Sequence, residues 1–123
     1  MQYPTRPLHI KEYPPLLREI PPVQIPKSLY IRGELPPKDF KMLCVVGSRA
    51  CTPYGRRQTQ KLVAGLAGYP VAIISGLALG IDSIAHRSAI SAGLQTIAIP
   101  GSGLDKKVLH PHSHVRLAEE IVE

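Results

Sequence analysis

A chain of 123 residues, 44% hydrophobic and 20% charged, has room for one globular domain with a modest core. Its formal net charge of +6 favours polyanionic partners. No apolar run approaches the ~20 residues of a membrane helix, and Met1 is not followed by a signal-peptide pattern. Two cysteines, Cys44 and Cys51, exclude a disulfide scaffold and argue against a zinc site, so a reduced, cytoplasmic protein without a membrane anchor is expected.

In chain order, residues 1–40 hold nine of the 13 prolines. Residues 3–7 read as an irregular tail. Residues 13–20 read as a short helical turn opened by Pro14 or Pro15 and ended by Pro21-Pro22, where the ring fixes φ and removes a donor. Residues 29–32 read as a short strand stopped at Gly33. A pure linker has little use for Leu16, Leu17, Ile20, Leu29 and Ile31, so this segment is expected to dock on the domain that follows.

That domain spans residues 41–123. Met42-Leu43-Cys44-Val45-Val46 reads as a buried strand running into the turn Gly47-Ser48-Arg49. Thr52 can cap the next helix, with Pro53 in its first position. This helix should reach about Gly68 and bury Leu62, Val63 and Leu66, leaving Arg56, Arg57 and Lys61 solvated. Residues 71–75 form the central strand, which breaks at Ser75-Gly76. From Ile81 the apolar period becomes helical, with Ile81, Ile84, Ala85, Ala89 and Ala92 on one stripe and Gly93 as the stop. Asp82 and His86, four apart, can pair. Residues 96–99 read as a further buried strand ending at Pro100-Gly101-Ser102-Gly103. A last helix from Ser113 should bury Leu117, Ala118, Ile121 and Val122.

Strands alternating with helices predict an α/β fold with a mostly parallel sheet, and three small-residue turns then lie along one sheet edge. Glycines there allow close backbone approach, and helix starts favour an anion. Between residues 41 and 116 stand nine Lys and Arg against Asp82 and Asp105, with Arg49, Lys106 and Lys107 beside the turns. Phosphate binding is the expected chemistry. Gly101-x-Gly103 is not a dinucleotide fingerprint, because Lys106 stands where a third glycine is required. His110-x-His112-x-His114 could face a metal from an extended segment, but no carboxylate or cysteine lies close by, and no metal is expected. Asp82 and His86 have no nucleophile paired with them, so no catalytic residue is assigned.

Gly47-Ser48-Arg49-x-x-Thr52-Pro53-Tyr54-Gly55, Ser75-Gly76-Leu77-Ala78-x-Gly80-Ile81-Asp82-x-x-Ala85-His86, and Gly101-x-Gly103-Leu104-Asp105 with His110-Pro111 resemble the DNA-processing protein A (DprA/Smf) family. The resemblance covers about residues 12–123. It implies a Rossmann-like three-layer fold, single-stranded DNA binding, loading of the RecA recombinase and a part in natural transformation, with no enzyme activity and no cofactor. It places the phosphate-contacting arginine on Arg49, beside the backbone of Gly47 and Ser48. Together with the three turns and the lysine beside them, the expected DNA or phosphate contacts are Gly47, Ser48, Arg49, Ser75, Gly76, Gly101, Ser102, Gly103, Lys106 and His112. The family's Tyr-Pro-x-x-Asn segment, often with a lysine after the proline, falls on His110-Pro111-His112-Ser113-His114, so three of its positions are histidine here. The family's domain continues past this point, includes a Ser-Glu-x-Pro strand and an Arg-Asn-Arg segment, and supplies dimer contacts. Neither is present, so the chain resembles the amino-terminal part of a member, and a homodimer is left open.

Two other readings remain. The lysine-decarboxylase-like (LOG) group of nucleotide-cleaving enzymes uses a Pro-Gly-Gly-x-Gly-Thr-x-x-Glu loop, whose start Pro100-Gly101-Ser102-Gly103 resembles. Leu104 replaces its threonine, however, and the glutamate is missing. The third reading is an interaction module without DNA binding.

Overall fold

The structure, a computed structural model, describes residues 4–104, 111 and 114–122. Three parallel strands, β3 (Lys41–Cys44), β4 (Val71–Ser75) and β5 (Gln95–Ala98), form a sheet in the order β3-β4-β5. The register sets Lys41 against Val71 and Cys44 against Ile74, then Ala72 against Gln95 and Ser75 against Ala98. Helix α1 (Pro53–Ala64) links β3 to β4, and α2 (Ile81–Ser91) links β4 to β5. Helix α3 (Val115–Val122) follows and packs on β5 and α2. The α/β class expected from the alternating pattern is the class observed.

Burial follows the periodicities. Ile73 on β4 meets Val63 of α1 and Ala85 and Ala89 of α2, with Leu94 closing the cluster. These side chains hold α1 and α2 against one face of the sheet through loss of apolar surface from water. A second cluster joins Leu77 to Leu117 of α3, flanked by Ala98, Ala118 and Ile121. Thr52 caps α1, its hydroxyl accepting the Gly55 N–H at 3.0 Å, and Pro53 occupies the first turn as expected. Gly93 ends the α2 region with φ +73°.

Several expectations are corrected. Helix α1 stops at Ala64 rather than near Gly68, and Leu62 is 71% exposed. The buried stripe runs through Thr59 and Val63, four apart, and Leu62 is turned about 100° from Val63. Residues 42–46 are not a buried strand: Cys44 is exposed, and Leu43 and Val46 are 45% and 64% exposed. Among the described residues β3 and β5 each have one strand neighbour, so both are edges. Ile99, beyond β5, is 67% exposed for the same reason. Helix α3 begins at Val115, and Ser113 lies outside the described residues.

The proline-rich segment has more order than a tail. Arg6–Leu8 (β1) pairs antiparallel with Leu29–Ile31 (β2), so the irregular reading of residues 3–7 is overturned. Pro7 is tolerated because this two-stranded ribbon leaves an open edge where no N–H is required. Pro15–Glu19 is a 3₁₀ turn, and Pro22, instead of only ending it, opens another at Pro22–Gln24. Tyr13 is fully buried, its hydroxyl donating to the Pro26 carbonyl at 3.1 Å. Leu17, Leu29 and Ile31 line a cavity of about 950 Å3 whose other wall includes Met42, Ile74 and Ile97 of the sheet. Leu16, by contrast, is 70% exposed. Arg32 Nη2 donates to both carboxylate oxygens of Glu119 on α3 at 2.9 Å. Gly33, at φ +92°, lies against Val122.

Candidate nucleic-acid interface

All three strands end at the same edge of the sheet, and the turns after β3 and β4 converge on the start of α2. Asp82, in the first turn of that helix, is the junction. Its Oδ1 accepts the Gly47 N–H at 3.3 Å and its Oδ2 accepts the Gly76 N–H at 3.1 Å. Both glycines are needed for this approach. A Cβ on Gly76 would lie 2.7 Å from Asp82 Oδ2, and one on Gly47 would lie 2.8 Å from Ile81 Cγ1. Gly80 has φ +79°, and a side chain there would meet the Arg49 carbonyl oxygen at 2.6 Å. The Ile81 N–H donates to the Ser48 carbonyl at 3.1 Å. The Gly47-Ser48-Arg49 turn is thus clamped to α2 by backbone and carboxylate, and Arg49 is left exposed at its tip.

Asp82 is 7% exposed, which is costly for a carboxylate unless it is compensated. Two N–H donors and the positive end of α2 supply the compensation. The expected Asp82–His86 pair does not form. His86 Nδ1 instead meets Thr96 Oγ1 at 2.7 Å, across on β5. Thr96 Oγ1 donates its proton to the Ile73 carbonyl at 2.8 Å, so the ring is the Nδ1–H tautomer. His86 Nε2 is buried and has no hydrogen-bond partner among the described residues. Burial pushes the His86 pKa down to about 4, against the opposing pull of the Asp82 carboxylate.

A family model described as DNA recombination-mediator protein A matches residues 6–123. The chain belongs to the DNA recombination-mediator protein A family. Over 111 residues it is 40% identical to protein Smf of Escherichia coli, and over 109 residues 42% identical to DNA processing protein DprA of Streptococcus pneumoniae. These matches take in 90% and 89% of the chain but 29% and 37% of the relatives, so the chain spans about a third of their length. The X-ray structure of Streptococcus pneumoniae DNA processing protein A superposes with a TM-score of 0.80 at 35% identity, over 98% of this chain and 41% of that one. DNA processing protein A of Helicobacter pylori, described for its single-stranded DNA binding mode, gives 0.75 at 31% identity, over 100% of this chain and 53% of that one. The Rossmann-like reading of the fold stands on these likenesses.

In this member of the DprA/Smf family the expected contact residues divide into three groups. Ser48 and Arg49 face solvent, and the Ser48 hydroxyl accepts the Ala50 N–H at 3.1 Å. Gly101 is exposed with open space around it, and Ser102 Oγ donates to the Gly103 carbonyl at 3.3 Å. Ser75 is 2% exposed and its hydroxyl donates to the Val45 carbonyl, joining β4 to the end of β3, so its side chain cannot reach a ligand. The Gly47 and Gly76 N–H groups already hold Asp82, so the backbone cradle expected for phosphate at these two glycines is filled from within. Lys106 and His112 lie outside the described residues, as do Asp105, Lys107 and His110. His114 is 5% exposed, and its Nδ1 donates to the Leu77 carbonyl at 2.8 Å, so it fastens the entry to α3. Leu77 itself is buried at φ +61°.

Sequence reasoning did not assign Asp82, Gly80 or Thr96 to the site's framework. A carboxylate at a helix start has a sufficient local explanation in the dipole, so nothing in the sequence pointed to its partners at residues 47 and 76. No helix of the described residues is long and apolar enough to cross a membrane.

Proposed function

We propose that this chain binds single-stranded DNA through its phosphates, as the amino-terminal part of a cytoplasmic recombination mediator that loads RecA onto DNA during natural transformation. Exposed Arg49, held at the tip of the clamped turn, is the observation that carries the reading. Its guanidinium forks onto phosphate oxygens, with Ser48 and the Gly101-Ser102-Gly103 turn on the same sheet edge. Lys106 and His112 extend the contact in the same reading. A binding role rather than a catalytic one is supported by the chemistry of these two buried side chains: both Asp82 oxygens and His86 Nδ1 are committed to separate internal hydrogen bonds. The division into a docked segment, residues 1–40, and a partial domain, residues 41–123, is part of the proposal. The Arg32–Glu119 pair and the Gly33–Val122 contact support it.

The test is a titration of labelled oligonucleotides of several sequences at rising salt. Affinity is expected to ignore base identity and to fall with salt, with a log–log slope of about −0.7 per phosphate neutralised. Arg49→Ala should weaken binding roughly tenfold and flatten that slope by about one contact. Affinity that ignores salt or tracks base sequence refutes the reading.

A second reading, an interaction module whose sheet is completed by further polypeptide or a second copy, is favoured by exposed Leu43, Val46 and Ile99 at the two edges that no strand of the described residues covers. Sedimentation of the chain alone tests it: a monomer at high concentration removes the second-copy form.

A further inference from the structure

We infer that Asp82 is the positioning residue of the DNA site: its carboxylate occupies the cradle formed by the Gly47 and Gly76 N–H groups and thereby sets the direction of Arg49. The inference rests on the DNA-binding reading above and adds the device that makes it work. A carboxylate serving only the helix dipole would face water, whereas Asp82 is 7% exposed and bridges two turns that lie 29 residues apart in sequence, at positions 47 and 76. The turn carrying Arg49 is otherwise held by the Ile81 N–H on the Ser48 carbonyl and by the close passage of Gly80 beneath Arg49. Three consecutive residues of α2's entry, Gly80, Ile81 and Asp82, therefore fix one exposed arginine.

The arrangement makes the sign of the effect diagnostic. A negative charge beside an anion site opposes binding, so removing a carboxylate with no other role tightens the complex. Removing a carboxylate that aims Arg49 loosens it in spite of the favourable change in charge. Asp82→Asn leaves one oxygen to accept one N–H but turns its amide NH2 toward the other, so one side of the bridge is lost.

The experiment measures oligothymidylate binding by the full chain at several salt concentrations, for the parent, Asp82→Asn, Arg49→Ala and the double variant. Asp82→Asn is expected to weaken binding roughly tenfold, the cost of losing one charge-assisted phosphate contact. The double variant should bind no more weakly than Arg49→Ala alone, because the two changes remove the same contact. General destabilisation would instead lower the folded fraction at every salt concentration without flattening the salt slope. Gly76→Ala covers the case in which Asp82→Asn does not fold. Its Cβ lies 2.7 Å from Asp82 Oδ2 and displaces the carboxylate with no change of charge, so it too should weaken binding. Asp82→Asn binding as tightly as the parent or more tightly, additivity with Arg49→Ala, or a folded Gly76→Ala of unchanged affinity overturns the inference while leaving DNA binding intact. A parent chain that does not bind overturns both.

Discussion

Acid should destabilise this protein through the buried His86 imidazole. His86 is fully buried, and its pKa is pushed down from 6.5 to about 4, chiefly by desolvation. The unfolded chain takes up a proton near pH 6.5, whereas the folded chain does not until about pH 4. Between these values the unfolded state binds more protons, so stability is level above pH 6.5 and falls as pH drops through the window. The full interval corresponds to about 3 kcal/mol, of which about 2 kcal/mol is already lost at pH 5. That is a large share of the stability of a small domain. The assay is urea unfolding of the parent and His86→Asn at pH 7.5, 6 and 5. The asparagine amide nitrogen can stand in for Nδ1 as the donor to Thr96 Oγ1, and it does not titrate. The variant should be less stable at pH 7.5 because it leaves a void, but its stability should fall by about 2 kcal/mol less between pH 7.5 and pH 5. Equal losses in the two proteins would show that His86 is not the proton acceptor and refute the reasoning.

Two further substitutions test the framework around the site. Gly80→Ala forces a Cβ into a left-handed conformation and onto the carbonyls of Ser48 and Arg49; it should cost about 2 kcal/mol or more in thermal or urea unfolding and weaken DNA binding with it. A variant as stable as the parent would show that the turn is not clamped. Arg32→Ala removes a guanidinium whose side chain is 5% exposed and which pairs with Glu119, so unfolding measurements should show a loss of about 2 kcal/mol or more, well above that of a surface pair. A change under about 0.5 kcal/mol would place that pair in the surface class.

Local chemistry in the sequence determined the elements of this protein. Thr52-Pro53 starts α1, Gly93 stops α2, and the stripe through Ala85 and Ala89 packs on Ile73 of the sheet. Each of these depends on residues within a turn or two, so the sequence is sufficient. It also placed the three turns at one edge, because parallel strands joined by helices all end on the same side. Burial of β3 was decided only in the tertiary structure. An apolar run reads as covered on both faces, but exposure of Leu43 and Val46 depends on whether a neighbouring strand exists, which no local pattern records. The pairing of β1 with β2 likewise depends on contacts more than 20 residues apart. The partners of Asp82 and His86 follow the same rule. Spacing on one helix allowed them to meet each other, but two N–H groups at Gly47 and Gly76, and a hydroxyl on Thr96, offered better geometry once the sheet had brought them there. The residues proposed to contact DNA were therefore legible as types and positions, while the decision over which of them face solvent belonged to packing.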